Sequence, residues 1–444
     1  MFTQMRLKNF KGWEDTGQVR LAPITLFFGP NSSGKTSLLQ SILLLKQTAA
    51  SSDRSRVLYP GDDRSLVDLG TVPELIHGHA TGSTIEAALS WTLPQALALP
   101  NSDKVAHLGF NTQVRLSPEG QPYAESLNYT LGDDVSVGMV RQDGDHYNLA
   151  ATGVYLKRRQ GRPWPLPAPI RFYGFPDEVA NYYQDAQWLS DLVLALEKQL
   201  DRVHYVGPLR EYPKRTYLWA GEKPENVGTK GELAVPALLA ARTDGRKIPR
   251  GEGKGRRYHP FEKIIAEWLQ TMEAIASFKV VAVAKNRKDY EVRVQRTAES
   301  PEVLITDVGF GISQLLPVLV QCYYAEPNST VIFEQPEIHL HPRLQAAMAD
   351  VVIDAAQSGN VQFIVESHSE HFLRRLQRRV AEETITNETV ALYRCDVDQG
   401  KSALEELAVD EYGNITNWPK DFFGDEMGDL AAMTKAGIRR RRQG

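Results

Sequence analysis

The sequence predicts an α/β fold: a mixed, largely parallel sheet flanked by helices, joined to an antiparallel β-rich lobe and a helical insertion. Three observations lead there. Short continuous apolar runs, Ile24 to Phe28, Thr330 to Phe333 and Gln362 to Val365, each pass through a turn into a helical pattern. That is how strands buried on both faces of a parallel sheet read. Residues 84–141 instead alternate apolar and polar positions between Gly, Pro, Asp and Asn turns, as half-buried antiparallel strands do. Residues 176–201 carry Leu189, Leu192, Val193, Leu196 and Leu200 at helical spacing.

Taken in order, Met5 to Phe10 and Gln18 to Leu21 alternate as half-buried strands, and Ile24 to Phe28 is the first fully buried one. A helix is expected from Thr36 to about Gln47, with Leu38, Leu39, Ile42, Leu43 and Leu45 on its apolar face. Segments 84–93, 112–116, 126–131 and 135–141 make the β-rich lobe. Val203 to Val206 is a further strand. Residues 242–257 hold Arg242, Arg246, Lys247, Arg250, Lys254, Arg256 and Arg257 against only Asp244 and Glu252, with four glycines and one proline, and are expected to form a mobile basic loop. Phe261 to Ala276 is expected as a helix and Lys279 to Gln295 as two strands. Gly309 to Tyr324, Pro342 to Gln357 and Glu370 to Glu382 are the helices between and after the last buried strands. Hairpins follow residue 386, and Arg439 to Arg442 is expected in a disordered tail. The expected division is 1–82 (first part of the parallel-sheet unit), 83–175 (β-rich lobe), 176–300 (helical insertion with the basic loop), 301–385 (second part of that unit) and 386–444 (hairpins and tail).

Composition narrows the function classes. With 42% hydrophobic and 24% charged residues, the chain is globular rather than fibrous or disordered. A net charge of -4 excludes a global electrostatic match to nucleic acid and leaves room only for a local basic surface. Two cysteines, Cys322 and Cys395, support neither a disulfide framework nor a cysteine-based zinc site, and fit a reducing compartment. No apolar run approaches the ~18 residues that span a bilayer, so a cytoplasmic location and no membrane partner are expected.

The strongest motif is Gly29-Pro30-Asn31-Ser32-Ser33-Gly34-Lys35-Thr36, followed by Ser37. It satisfies G-x-x-x-x-G-K-[ST] completely and lies between a buried strand and a helix. Glycines let the backbone curl so that its N–H groups converge on phosphate. The helix N-terminus adds partial positive charge. Lys35 is placed for the β- and γ-phosphates and the Thr36 hydroxyl for Mg²⁺, so the expected cofactors are ATP and Mg²⁺. Glu334, ending a buried strand in Phe333-Glu334-Gln335-Pro336-Glu337, is the candidate metal-side carboxylate. Glu337 is a candidate base for the attacking water. His368 lies just past the next buried strand, where it could meet the γ-phosphate.

Together with Tyr205-Val206-Gly207-Pro208-Leu209-Arg210, Gly309 to Gln314, Glu334 to Pro342 and Trp418 to Phe423, this arrangement resembles ABC-type ATPases of the SMC and RecF kind. It is most similar to the short AAA-ATPases of bacterial antiviral defence systems, akin to the ATPase domains of OLD-family nucleases and the Septu and PARIS ATPase subunits. The resemblance implies that Gly309, Gly311 and Ser313 form a signature loop that closes on the γ-phosphate held by a second copy. A head-to-tail homodimer, or a higher homo-oligomer, would then sandwich two ATP molecules. His368 takes the place of the switch histidine. Two positions depart from the pattern. Gly309 stands where a serine is usual, and Gln335 stands where the catalytic glutamate is usual. An amide orients water but accepts no proton, so either Glu337 is the base or hydrolysis is slow and ATP mainly holds the dimer closed. The implied function is a nucleotide-switched sensor or scaffold in antiviral defence, controlling an effector, expected to be a nuclease, from a neighbouring gene. The alternative is a RecF/SMC-like clamp acting on DNA in repair.

Four further features bear on this. The stretch after the His368 helix is too short for a nuclease domain of ordinary size. Asp396 and Asp398 read as a hairpin end rather than a metal pair. The basic loop and the face carrying Arg374, Arg375, Arg378 and Arg379 either bind phosphodiester backbones or are compensated surface charge. Large apolar groups at Trp418, Phe422 and Phe423 read equally as core or as a docking surface.

Overall fold

The computed structural model describes residues 1–80, 82–98, 104–132, 134–159, 164–250, 257–420, 422–424 and 426–443. Along the chain, β1 (Phe2–Phe10), β2 (Trp13–Asp15), β3 (Val19–Arg20) and β4 (Ile24–Phe28) precede α1 (Lys35–Ala50). A short α2 (Val72–Leu75) leads to β5 (Ile85–Leu97), β6 (Val105–Leu116), β7 (Pro122–Leu131), β8 (Val135–Arg141) and β9 (Tyr147–Thr152). Next come α3 (Glu178–Tyr182), α4 (Trp188–Asp201), β10 (Val203–Val206), β11 (Tyr217–Leu218), α5 (Ala234–Thr243), β12 (Lys247–Arg250) and β13 (Arg257–Pro260). They are followed by α6 (Phe261–Thr271), β14 (Ser277–Ala282), β15 (Asp289–Gln295), β16 (Val303–Leu304) and α7 (Phe310–Tyr324). The chain closes with β17 (Thr330–Glu334), α8 (Pro342–Gly359), β18 (Gln362–Glu366), α9 (Glu370–Ala381), β19 (Val390–Asp398), β20 (Lys401–Glu406) and α10 (Glu426–Gln443).

The central sheet has the order β10-β17-β18-β4-β19-β20. Its pairs are parallel apart from β19 with β20, which is a hairpin. Every residue of β4, β17 and β18 is buried, which explains their unbroken apolar runs. Alternate side chains serve two cores, as the pleat requires. Ile332, Ile364 and Ala391 pack with α1, α4 and the antiparallel sheet. Val331, Phe333, Phe363 and Val365 pack with α5 to α9. The antiparallel sheet runs β2-β1-β5-β6-β7-β8-β9, with β3 on β1, so it draws strands from both sides of α1. A smaller sheet, β11-β15-β14 with β16, and the hairpin β12-β13 complete the fold. Among the described residues, no helix is long and apolar enough to cross a membrane.

One polar side chain stitches the two large sheets together. Gln362, 1% exposed, accepts from the Phe2 N–H at 3.0 Å and the Thr330 hydroxyl at 3.0 Å. It also donates to the Phe2 carbonyl at 2.7 Å and the Ala22 carbonyl at 3.0 Å. A buried amide satisfied on both sides specifies register at little net cost, whereas an apolar replacement strands its partners.

Three expectations need correcting. The helix expected across 176–201 is broken: Tyr183 leaves it to bridge Arg158, and Asp185 adopts a left-handed φ of 52°. The basic stretch 242–257 is not an open loop over its described residues, since 242–243 end α5 and 247–250 pair with 257–260. Arg242, Arg246 and Arg250 are already committed, Arg242 to Glu262. Arg246 donates to the Tyr324 and Ala325 carbonyls, and Arg250 pairs with Glu267 and Asp354. Lys254 and Arg256 lie outside the described residues. Finally, Arg439 to Arg442 continue helix α10, a stretch free of proline and rich in Ala, Lys, Arg and Met, all good helix formers. Helix α5 was not expected at all, because Gly and Pro crowd its neighbourhood.

Gln362→Leu should lower the urea midpoint with an unchanged slope, at roughly 1–3 kcal/mol for each buried group left unpaired. A midpoint equal to that of the native chain would show that the amide does not join the sheets.

Candidate functional site

The phosphate loop springs from β4 in the interior of the sheet and ends on α1. Gly29 has φ 139° and Gly34 φ 94°, and Ser32 is also left-handed at φ 63°. A Cβ on Gly29 would overlap the Cys395 carbonyl of β19, so close approach as well as φ demands glycine there. The loop is braced from outside. Trp13, fully buried, donates its indole N–H to the Gly34 carbonyl at 3.1 Å. Phe422 and Phe423 pack edge-on against Phe28, and Trp418 packs on both of them. The aromatic triplet near the C-terminus therefore packs against the strand that carries the loop; Asp421 lies outside the described residues.

Beside the loop lies a cavity of about 250 Å³ lined by Asn31, Ser32, Ser33, Gly34, Lys35, Thr36 and Ser37, facing Gly12, Gln335, Glu366 and Ser402. Gly29 and Pro30 meet Lys35 instead: its ammonium donates to their carbonyls at 3.0 and 2.7 Å. Burial lowers the Lys35 pKa, and the nearby Glu366 opposes this. Thr36 donates its hydroxyl to Glu366 at 2.7 Å.

The acids occupy different positions. Glu334 and Glu366 end adjacent parallel strands in register, so their side chains share a face. Glu334 is hydrogen-bonded to Tyr205 of β10, does not line the cavity, and has a buried oxygen without a partner. Burial first, and then the charge of Glu366, pushes its pKa up to about 7. Glu337 faces the other strand turn, accepting from the Ser367 hydroxyl at 2.8 Å and the His368 N–H at 2.7 Å. Burial raises its pKa against those bonds and the charge of Arg210. It too lies outside the cavity lining. Gln335 does line the cavity, in a left-handed conformation of φ 45°. Its N–H donates to the Glu366 carbonyl at 2.8 Å and its carbonyl accepts from Arg210 at 3.2 Å. His368 is exposed, and burial of part of its ring together with the Lys35 charge lowers its pKa.

Gly309 caps α7 with a non-helical backbone, and the α7 N-terminus carries Gly311 and Ser313. Gly311 abuts the His339 carbonyl. None of these three lines the cavity of its own chain.

Two residues were missed. Glu366 was signalled by the sequence: both apolar runs, Val331 to Phe333 and Phe363 to Val365, end in glutamate. Arg210, 6% exposed, donates to the carbonyls of Glu334, Gln335 and Pro336, and burial lowers its pKa to about 10. It fixes the turn that places Gln335, and nothing in its local pattern announced that. The arginine face of α9 is internally paired: Arg374 with Glu370, Arg378 with Glu382, and Arg375 and Arg379 with Asp350.

The Gly29 to Thr36 loop joins a buried strand to a helix, as a phosphate-binding P-loop does. Residues 1–88 and 257–373 match the AAA ATPase domain family. Residues 385–433 match a family described as Protein of unknown function (DUF3696). No curated protein matches the chain. Similar solved structures include a SmcHead bound to the C-winged helix domain of ScpA, at 11% identity over 92% of this chain and 98% of that one, with TM-score 0.47. An SMC head domain from Thermotoga maritima is 10% identical over 92% and 99%, with TM-score 0.43. An Smc head domain with an extended coiled coil, bound to the C-terminal domain of ScpA derived from Pyrococcus furiosus, is 11% identical over 92% and 96%, with TM-score 0.45.

The residues present fit Mg²⁺ with a nucleotide: a hydroxyl and a carboxylate meet at Thr36 and Glu366, the Ser33 hydroxyl is buried without a partner, and every donor is a hard oxygen. The Glu334 environment makes a separate prediction. Its folded pKa, about 7, exceeds the ordinary 4.5, so the native state holds the extra proton and stability falls as pH rises between those values. Glu334→Gln should melt at the same temperature as the native chain below that window and higher above it, by on the order of 3 kcal/mol at full ionisation. Equal melting at pH 8 would refute the burial argument.

Proposed function

We propose that the chain is an ATP-binding, slowly hydrolysing ATPase that works as a nucleotide-operated switch between copies of itself. One observation carries this: Gln335, not an acid, faces the phosphate loop across the cavity, held there by Arg210 and by the Glu366 backbone. Gly29 to Ser37 hold the triphosphate, with Lys35 neutralising its charge. When bound, Mg²⁺ would offset the negative charge that develops on the phosphate. Thr36 would supply its hydroxyl ligand, and the carboxylate would come from Glu334 or Glu366, which end neighbouring strands. Gln335 orients the attacking water without removing its proton. Glu337, bonded to Ser367 and His368, ties the two strand turns together, so that a shift of His368 is felt at Gln335.

A second copy completes the site in this reading. The α7 N-terminus, with Gly309, Gly311 and Ser313, offers N–H groups and partial positive charge, and none of these three residues lines the cavity of its own chain. Closure on the γ-phosphate of the partner copy makes ATP the glue of a two-fold dimer. The role in prokaryotic antiviral defence, and the partner effector that the dimer controls, are supported by the resemblance carried by Glu334 to Pro342. Pairing of the α9 arginines within the chain weighs against a clamp acting directly on DNA. Copurification with the product of the neighbouring reading frame, with and without ATP, tests the effector.

Gln335→Glu should raise ATP turnover, because a positioned general base is worth about 10²–10⁴-fold; a rate no higher than that of the native chain would count against slow hydrolysis. Gly309 faces open space, so a side chain there is tolerated in the monomer. Gly309→Asp should abolish ATP-dependent dimerisation in light scattering while leaving the ATP affinity of the monomer unchanged. Undiminished dimerisation would remove the signature loop from the interface.

A further inference from the structure

We infer that Ser402, near the tip of the β19–β20 hairpin, is a nucleotide-binding residue that holds the α-phosphate end of the triphosphate. The inference rests on the ATPase reading above and deepens it.

Topology sets the direction. β17 and β18 lie on one side of β4, and β19 and β20 on the other. Gln335 directly follows β17 and Glu366 ends β18, so both approach the phosphate loop from the first side. A γ-phosphate presented to Gln335 leaves the α-phosphate and the nucleoside pointing to the opposite wall. That wall is made by Gly12, which brings no side chain, and by Ser402, which is half-buried.

Ser402 is held in place by its neighbours. Its N–H donates to the Gly12 carbonyl at 2.9 Å, which lays the hairpin over the β1–β2 turn. Lys401 pairs with Glu14 of β2. A Cβ on Gly12 or on Gly34 would lie 2.5 Å from the Ser402 hydroxyl oxygen. The hydroxyl therefore fills the gap between the turn and the phosphate loop, and glycine at both positions is what admits it. Ser402 lies outside both stretches that match the ATPase domain, so the cavity is completed by a part of the chain beyond them.

The chemistry follows from the hydroxyl. A serine offers one O–H donor, which rotates to suit its partner. Beside Gly34 and the start of α1, the partner is an ionised phosphate oxygen, and a hydrogen bond to an ionised acceptor is stronger than a neutral one. Ser402 moves no proton in this role. It positions the nucleotide and leaves the γ end to Lys35, Thr36 and Gln335.

The test uses the full-length chain and calorimetric binding of ATP, ADP and the two diastereomers of ATPαS, in which sulfur replaces one α-phosphate oxygen. Ser402→Ala should weaken ATP and ADP alike, by roughly 10- to 100-fold, because both carry the α-phosphate. The native chain should prefer one ATPαS diastereomer, sulfur being the poorer acceptor, and Ser402→Ala should shrink that preference. At saturating ATP its turnover should match that of the native chain, so that the loss appears in KM and not in kcat. Ser402→Cys, which fills similar space with a weak donor, should repeat the loss. Native affinities in both variants, a loss confined to ATP, or an undiminished diastereomer preference would each overturn the assignment. Should Ser402→Ala melt below the native chain, Ser402→Cys decides by the same criteria. A native chain that binds neither ATP nor ADP would instead defeat the ATPase reading itself.

Discussion

The hydrogen bond between Thr36 and Glu366 joins the start of α1 to the end of β18, and the phosphate site is organised around it. It brings together residues 330 positions apart, a half-buried threonine and a buried glutamate. Such a pair is favourable only if both strands and the helix are held rigidly, since a buried carboxylate without its partners is costly. The three-layer packing supplies that rigidity. Two cores press on the sheet from either side, and Gln362 fixes its register against β1.

Backbone geometry does the rest of the positioning. A glutamine in a left-handed conformation costs on the order of 1–2 kcal/mol relative to a right-handed one. Here the cost is offset by its own N–H and carbonyl, both bonded, one to the strand carrying Glu366 and one to Arg210. The side chain that faces the phosphate loop is thus aimed by main-chain bonds. The acids with the most distinctive sequence context, Glu334 and Glu337, are the ones turned away into structural bonds.

Much of the architecture was legible in the sequence, because its signals are local. Ile24 to Phe28 was read to the residue, and Val203 to Val206 likewise, since apolar runs bounded by turns leave little freedom. The phosphate loop was legible for the same reason. What escaped reading depends on sheet order. That β18 sits between β17 and β4 is invisible in a linear pattern, and it decides which glutamate meets Thr36. The charge of Arg246 and Arg250 was legible, but not their partners, which lie far away in sequence at Tyr324 and Asp354. Arg439 to Arg442 showed charge without a periodic apolar face, which says nothing about local helix preference.

The place of β19 in the central sheet has a consequence for biogenesis. Cys395 covers Gly29, and Ser402 stands over Gly34, so the wall of the nucleotide pocket is built from residues translated long after the loop itself. While the ribosome is still extending the chain, β4 has solvent where β19 will lie, and the loop has no lid to curl against. The loop therefore emerges well before it can mature, and a polypeptide whose synthesis stops before the β19–β20 hairpin carries an intact motif without an intact pocket.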